Sequence, residues 1–177
     1  MFSAQKNLLL FVLLILSPFF VQAQKRAVLD WAFFKNDRPT NAEHQAFTWS
    51  NLSYRYIPVK ANGEKMEIQF TVNFKMDTVK SYFEANKRIS NDLRLLNHEQ
   101  GHADIGFIYA MKLKDTFEKT AFLRKDYQAE IQNIWTRIFS EMTAAQLNYD
   151  AGTNHSKNLE EQKKWDQYFA KIIGNSQ

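Results

Sequence analysis

Leu95-Leu96-Asn97-His98-Glu99-Gln100-Gly101-His102-Ala103-Asp104-Ile105 is the stretch on which the reading of this chain turns. His98 and His102 are four residues apart, with Glu99 directly after the first. On a helix, residues at i and i+4 stand one above the other on one face. That spacing puts two imidazoles where one cation can take both, with a carboxylate beside them. Zinc hydrolysis needs this combination: neutral nitrogen ligands, an open coordination position, and a base near the water. The flanking residues predict the helix. From Asn91 to about Lys119 the pattern is helical and free of proline, with Ser90 as an N-cap and Asp92 in the first turn. Leu95, His98, His102, Ile105 and Tyr109 share one stripe, and Leu96, Phe107 and Met111 fall roughly opposite. A helix apolar on two sides is packed on two sides, so this one is central.

Upstream, Leu52, Tyr54 and Tyr56 alternate with Ser53 and Arg55. Met66, Ile68, Phe70, Val72, Phe74 and Met76 alternate with polar residues without a break. Period-two alternation predicts strands with one buried and one wet face. Ala61-Asn62-Gly63 between them predicts a hairpin turn, Asn-Gly being suited to positive φ. The hairpin's wet face or edge is a place where an extended peptide can add as a strand. Val28 to Phe34 reads as a short strand or packed extended arm, Lys35 to Glu43 as a loop, and Asp77 to Arg88 as a short helix or covering loop. Downstream, Lys125 to Asn148 predicts a second helix, with Tyr127, Ile131, Ile134, Trp135, Ile138 and Met142 as its stripe. Tyr149 to Ser156, interrupted by Gly152, reads as a loop, and Asn158 to Ile173 as a third helix. The expected architecture is α+β: one domain over residues 24–177, a small antiparallel sheet and then three helices.

Residues 1–23 stand apart. Lys6 precedes the apolar run Leu8 to Phe20, and Val21-Gln22-Ala23 offers small residues for cleavage after Ala23. This is the pattern of a secretory signal peptide. The run, about 13 residues, is short against the roughly 20 of a membrane-spanning helix. The chain has no cysteine, which excludes lipid attachment at a cleavage-site cysteine and all disulfides. The expected product is exported, secreted or periplasmic, without a membrane anchor. Loss of Lys6 takes the net charge from +4 to +3. The cations are scattered among acids along the helices, a solvated pattern that argues against nucleic acid as a partner. With 15 Phe, 7 Tyr and 4 Trp there is ample surface for a core.

A catalytic zinc site takes three protein ligands and leaves the fourth position for water. His98 and His102 are two, and the chain has only two other histidines, His44 and His155. An antiparallel second helix returns its far end near the first, so His155 ranks ahead of Asp150 as the third ligand. His44 reads as an ordinary exposed histidine. Glu99 is the candidate general base. Tyr149 is the candidate second electrophile for the developing oxyanion, ahead of Tyr109, whose better reading is core packing. Asp150 can alternatively steady a ligand imidazole, whereas Asp104 projects away from the histidines, toward a solvent, capping or inter-helix role. Two familiar completions fail. Position 108, six residues after His102, is Ile rather than His, and Glu118, Glu130 and Glu141 are not followed four residues later by Asp.

The sequence resembles a family of secreted bacterial proteins regarded as zinc-dependent proteases, the DUF922 family. The residues that carry the resemblance are Leu29-Asp30-Trp31 with Phe34, Leu95 to His102 with Asp104-Ile105, Tyr149-Asp150 with Thr153 and His155, then Gln162 and Trp165. The resemblance implies a zincin-like metallopeptidase fold, with His98, His102 and a residue of the second motif around zinc. The chain departs from the family pattern at Ala103, usually aromatic, and at Ser156, usually glycine.

Three functions of different kinds follow as expectations. The first is an exported zinc metallopeptidase acting on a peptide or protein substrate. The second is a zinc-binding, non-proteolytic envelope protein that holds a partner peptide. The third is a metal-free helical interaction module. A deep groove between hairpin and central helix favours the first, and four protein ligands around the metal favour the second.

Overall fold

The computed structural model describes residues 25–174. The signal-peptide expectation falls on residues 1–23, outside the described residues. The chain is α+β. In order come β1 (Asn36–Asp37), β2 (Ala46–Phe47), β3 (Ser50–Asn62), β4 (Lys65–Met76), β5 (Tyr82–Phe83), α1 (Ala85–Ile89), α2 (Leu93–Lys119), α3 (Tyr127–Thr153) and α4 (Leu159–Gly174).

β3 and β4 form the expected antiparallel hairpin, with Leu52 opposite Phe74, Tyr54 opposite Val72 and Tyr56 opposite Phe70. Its inward side chains pack on α2, α3 and the segment joining them, and Phe70 stacks on Phe117 with ring centroids 4.3 Å apart. Each such aromatic stabilises the fold by about 2–3 kcal/mol through burial. The turn sits one residue later than expected. Asn62 pairs with Lys65, and the positive φ (+61°) belongs to Gly63 at the first central position. That is the arrangement of a type II′ turn rather than one centred on Asn-Gly.

A second, smaller sheet was not foreseen. β5 runs parallel to β1 and antiparallel to β2. Each of its strands is two residues long, too short to show a period. Residues 25–34 form an arm without a strand, anchored by buried Leu29 and Phe34. These pieces enclose a second core, in which Leu29, Phe34, Ala46 and Phe83 meet Leu95 and Ala103 of α2.

α2 is packed on both stripes, but the two cores divide it along its length rather than by face: Ile105 and Phe107, from opposite stripes, both enter the main core, and the second core takes Leu95 and Ala103 near the N-terminal end. Its N-cap is Asp92, whose Oδ1 accepts from the Leu95 amide at 3.2 Å; Ser90 bonds the Lys87 carbonyl instead. Two glycines let neighbours reach the α2 backbone. A Cβ at Gly106 would stand 2.3 Å from the Phe74 ring, and one at Gly101 would stand 2.1 Å from the Tyr149 hydroxyl.

The main correction concerns Tyr149 to Ser156. α3 runs to Thr153, so Tyr149 and Asp150 are helical and the connection is only residues 154–158. Gly152 does not break the helix; the nearest atom to a Cβ there would be Trp165 Nε1 at 3.8 Å, so the glycine faces α4. Termination comes from Asn154, in the left-handed region at φ 48° and ψ 51°.

Candidate metal centre

α2 and α3 bring His98, His102 and Asp150 face to face. Asp150 Oδ1 lies 3.1 Å from His98 Nε2 and 3.1 Å from His102 Nε2. His155 Nδ1 reaches the same oxygen at 3.4 Å. Candidate ligand atoms of His98, Asp150 and His155 all lie within 4.8 Å of one another, so this group can hold a metal ion. His102 joins it through the shared Asp150 oxygen. Both candidates for the third ligand are thus present, and the structure places them side by side.

His155 arrives by an unusual turn. Asn154, His155 and Ser156 all have positive φ, at 48°, 48° and 73°. Non-glycine residues there are strained, and such strain persists where surrounding contacts over-determine it. The His155 amide bonds the Asp150 carbonyl at 3.1 Å, the Asn158 amide bonds Thr153 at 2.7 Å, and Ser156 is buried. Glycine at position 156, the residue usual in the family the sequence resembles, suits this backbone better than serine.

The imidazoles are held from behind. Gln146 Nε2 donates to the His102 carbonyl at 3.0 Å, which turns its Oε1 toward His102 Nδ1 at 2.5 Å. Nδ1 therefore carries the proton. Gln162 Nε2 donates to Tyr149 Oη (2.8 Å) and Asp166 Oδ1 (2.9 Å), which turns its Oε1 toward His98 Nδ1 at 3.4 Å. Thr153 Oγ1 donates to the Tyr149 carbonyl and also faces His98 Nδ1 at 3.4 Å. Both histidines thus present an Nε2 lone pair to Asp150 Oδ1. Lone pairs facing an anionic oxygen need a cation or a proton between them. Burial pushes His102 down, but bonding to Asp150 and the charges of Glu99 and Asp150 raise it overall. Burial likewise pushes the Asp150 carboxyl up, but hydrogen bonds from His102 and His98 hold it well below the usual carboxylate range. The nearby C-terminal end of α3 also favours positive charge.

Tyr149 is not placed for the electrophile role. It is fully buried, its hydroxyl donates to the His98 carbonyl at 3.0 Å, and burial pushes its pKa far up. Its ring stacks on His98 (centroids 4.7 Å, 17°) and meets the His102 ring edge-on (5.0 Å, 82°). It is a platform for both imidazoles, and Gly101 is what admits it. Tyr109 lies elsewhere, in a groove shared with Trp165 and Tyr168 of α4.

The site opens into a cleft of about 770 Å³. One wall is α2 and α3; the other is the segment from Arg38 to Ser50, so this cleft is not the groove between hairpin and central helix that would favour a peptidase. Glu99 is buried on the cleft floor, and Thr48 Oγ1 donates to its Oε2 at 2.7 Å. His44 belongs to the same wall: it is partly exposed, but its ring lies 5.0 Å from that of His155, so it is not the ordinary surface histidine expected. Asp104 is not solvated. Arg26 pairs with both of its oxygens at 2.7 Å, and Gln100 bonds Asp104 and the arm's Ala27 and Leu29. Gln146 and Thr48 escaped the sequence reading, and His44 was weighed there and set aside. Gln146, four residues before Asp150, shares its helical face and was the one with a legible signal.

The family model for bacterial proteins of unknown function DUF922 matches residues 26–158, and the chain belongs to that family. A comparison with curated proteins finds no match, and neither does one with solved structures.

Proposed function

We propose that this chain is an exported, zinc-dependent metallopeptidase with a zincin-like arrangement of its His98–His102 helix. The observation that carries the reading is the meeting of His98, His102, Asp150 and His155 on the floor of a cleft that also holds Glu99. Imidazoles and one carboxylate are a donor set suited to zinc. When bound, zinc supplies Lewis acidity, polarising a carbonyl and making water a better acid. The protein's own groups do the rest. Glu99 takes a proton from the attacking water and passes it to the departing amine, so a peptide and water become an acid and an amine. Thr48 holds Oε2 of Glu99, which leaves the other oxygen for the water. Gln146, Gln162 and Thr153 keep the ligand imidazoles in one tautomer.

Export is supported by the pattern of residues 1–23, and no described helix is long and apolar enough to cross a membrane. The reading takes a peptide or protein substrate, no nucleic acid, and no membrane anchor after signal cleavage. Metal analysis of protein purified without chelator tests it first. About one zinc per chain and a lower melting temperature in EDTA are expected. Absence of zinc with melting indifferent to EDTA would end the proposal.

Asp150 favours a second reading. Three histidines and one aspartate can close a tetrahedral shell and leave no position for water. The protein would then be a zinc-binding, non-proteolytic envelope protein that holds a partner peptide. Cobalt-substituted protein separates the two: acetohydroxamate shifts the visible spectrum of an open site and leaves a closed one unchanged.

A further inference from the structure

Amide hydrolysis places negative charge on the carbonyl oxygen, and a preorganised donor aimed at that oxygen is a major source of rate. Tyr149 is buried and cannot serve. Several other donors of the cleft are committed: Gln146 to the His102 carbonyl, Thr48 to Glu99, and Arg38 to the carbonyls of Ala42 and His44. His44 differs. Its side chain is 41% exposed, and its nearest carboxylate, Glu43, lies 4.0 Å from Nε2, too far for a hydrogen bond. The ring sits beside His155 on the cleft wall that faces α3.

The loop carrying His44 is held in place. The Arg38 amide bonds the Phe83 carbonyl at 3.2 Å, Arg38 Nε bonds the His44 carbonyl at 2.8 Å, and the Glu84 amide bonds the Gln45 carbonyl at 2.8 Å. Both flanks of His44 are therefore tied to the small sheet, which is the preorganisation a catalytic donor needs.

We infer that His44 contacts the substrate, donating an N–H hydrogen bond to the scissile carbonyl oxygen from the wall opposite α3. This rests on the peptidase reading and supplies the donor that Tyr149 does not. No proton leaves His44. The water's proton goes to Glu99 and then to the amine, and a neutral imidazole N–H suffices to polarise the oxygen.

Zinc-loaded wild type, H44A and H44Q are compared by three measurements: zinc affinity against a competing chelator, kcat and KM on a quenched-fluorescence peptide library, and calorimetric affinity for phosphinic pseudopeptides, which mimic the tetrahedral geometry. In H44A, kcat is expected to fall roughly 10²-fold while KM stays within about threefold. Phosphinate affinity is expected to fall in parallel and zinc affinity to stay within about twofold. H44Q, which keeps a donor, recovers part of the loss. The inference is overturned if H44A retains kcat and phosphinate affinity while the wild type turns over. It is also overturned if H44A loses about tenfold or more in zinc affinity, which would put His44 among the groups that hold the metal or steady its ligands. A zinc-loaded wild type that neither cleaves nor binds phosphinates would bring down the peptidase reading and this assignment together.

Discussion

The two walls of the cleft hold their functional groups by different means. On the α2–α3 wall, His98, His102, Gln146 and Asp150 are placed by helical spacing and by one buried phenol between the helices. On the opposite wall, Thr48 and His44 are placed by hydrogen bonds between segments far apart in sequence. The Trp49 amide bonds Ser81 Oγ at 2.9 Å, the Asp77 amide bonds the Trp49 carbonyl at 3.0 Å, and Arg38 ties the loop to Phe83. The first wall holds the candidate ligands, and the second reaches toward Glu99 and the open cleft. Changes in the first are expected to show in metal affinity or stability, and changes in the second in turnover alone.

Glu99 lies where the walls meet, and the largest effect is expected there. Glu99→Gln should lower kcat by roughly 10²–10⁴-fold while zinc stays bound. Full activity in this variant, read on any cleaved peptide, would remove the general-base role. Next comes Gly101→Ala, which forces a methyl into the Tyr149 hydroxyl. It should cost about 3 kcal/mol in denaturant unfolding and weaken zinc binding, because the platform under both imidazoles shifts. If stability and zinc affinity are both unchanged, Tyr149 is not the platform described. Gln146→Ala should weaken zinc about 10–100-fold with little loss of stability, since it frees the His102 ring; chelator competition measures it.

Thr48→Val tests the other wall. Loss of one hydrogen bond to Glu99 should lower kcat about tenfold or less and leave zinc affinity unchanged. A large loss of zinc in this variant would erase the distinction between the walls. The smallest effect is expected at the end of α3. Ser156→Gly relieves a positive φ and should stabilise the protein by about 1 kcal/mol, seen as a higher denaturation midpoint. Acidification acts on the first wall. Zinc competes with a proton for His102, whose pKa is raised by Asp150 and Glu99, so apparent affinity should rise with pH through the histidine range and fall below it.

The same contrast explains what was legible. α2, α3, α4 and the hairpin announce themselves by periods of 3.6 and 2 over a dozen or more residues. The two-residue strands β1, β2 and β5 carry no period, so the pairing that assembles the second core was invisible although Phe34 and Phe83 are fully buried in it. Tyr149 was misplaced because Gly152 reads as a breaker, whereas α4 packs against that face and keeps the helix going. Arg26 and Asp104 lie 78 residues apart, and no local pattern joins them.

By itself the sequence determined the α+β class, the central helix with His98, Glu99 and His102 on it, and the short list of further candidate ligands. Those are consequences of local spacing, since side-chain direction on a helix or strand repeats with fixed period. Only the tertiary structure decided that Asp150 and His155 stand together, that Tyr149 supports rather than reacts, and that His44 faces the site. Each of these depends on which distant segments pack against one another, and burial and hydrogen bonding across the whole chain settle that.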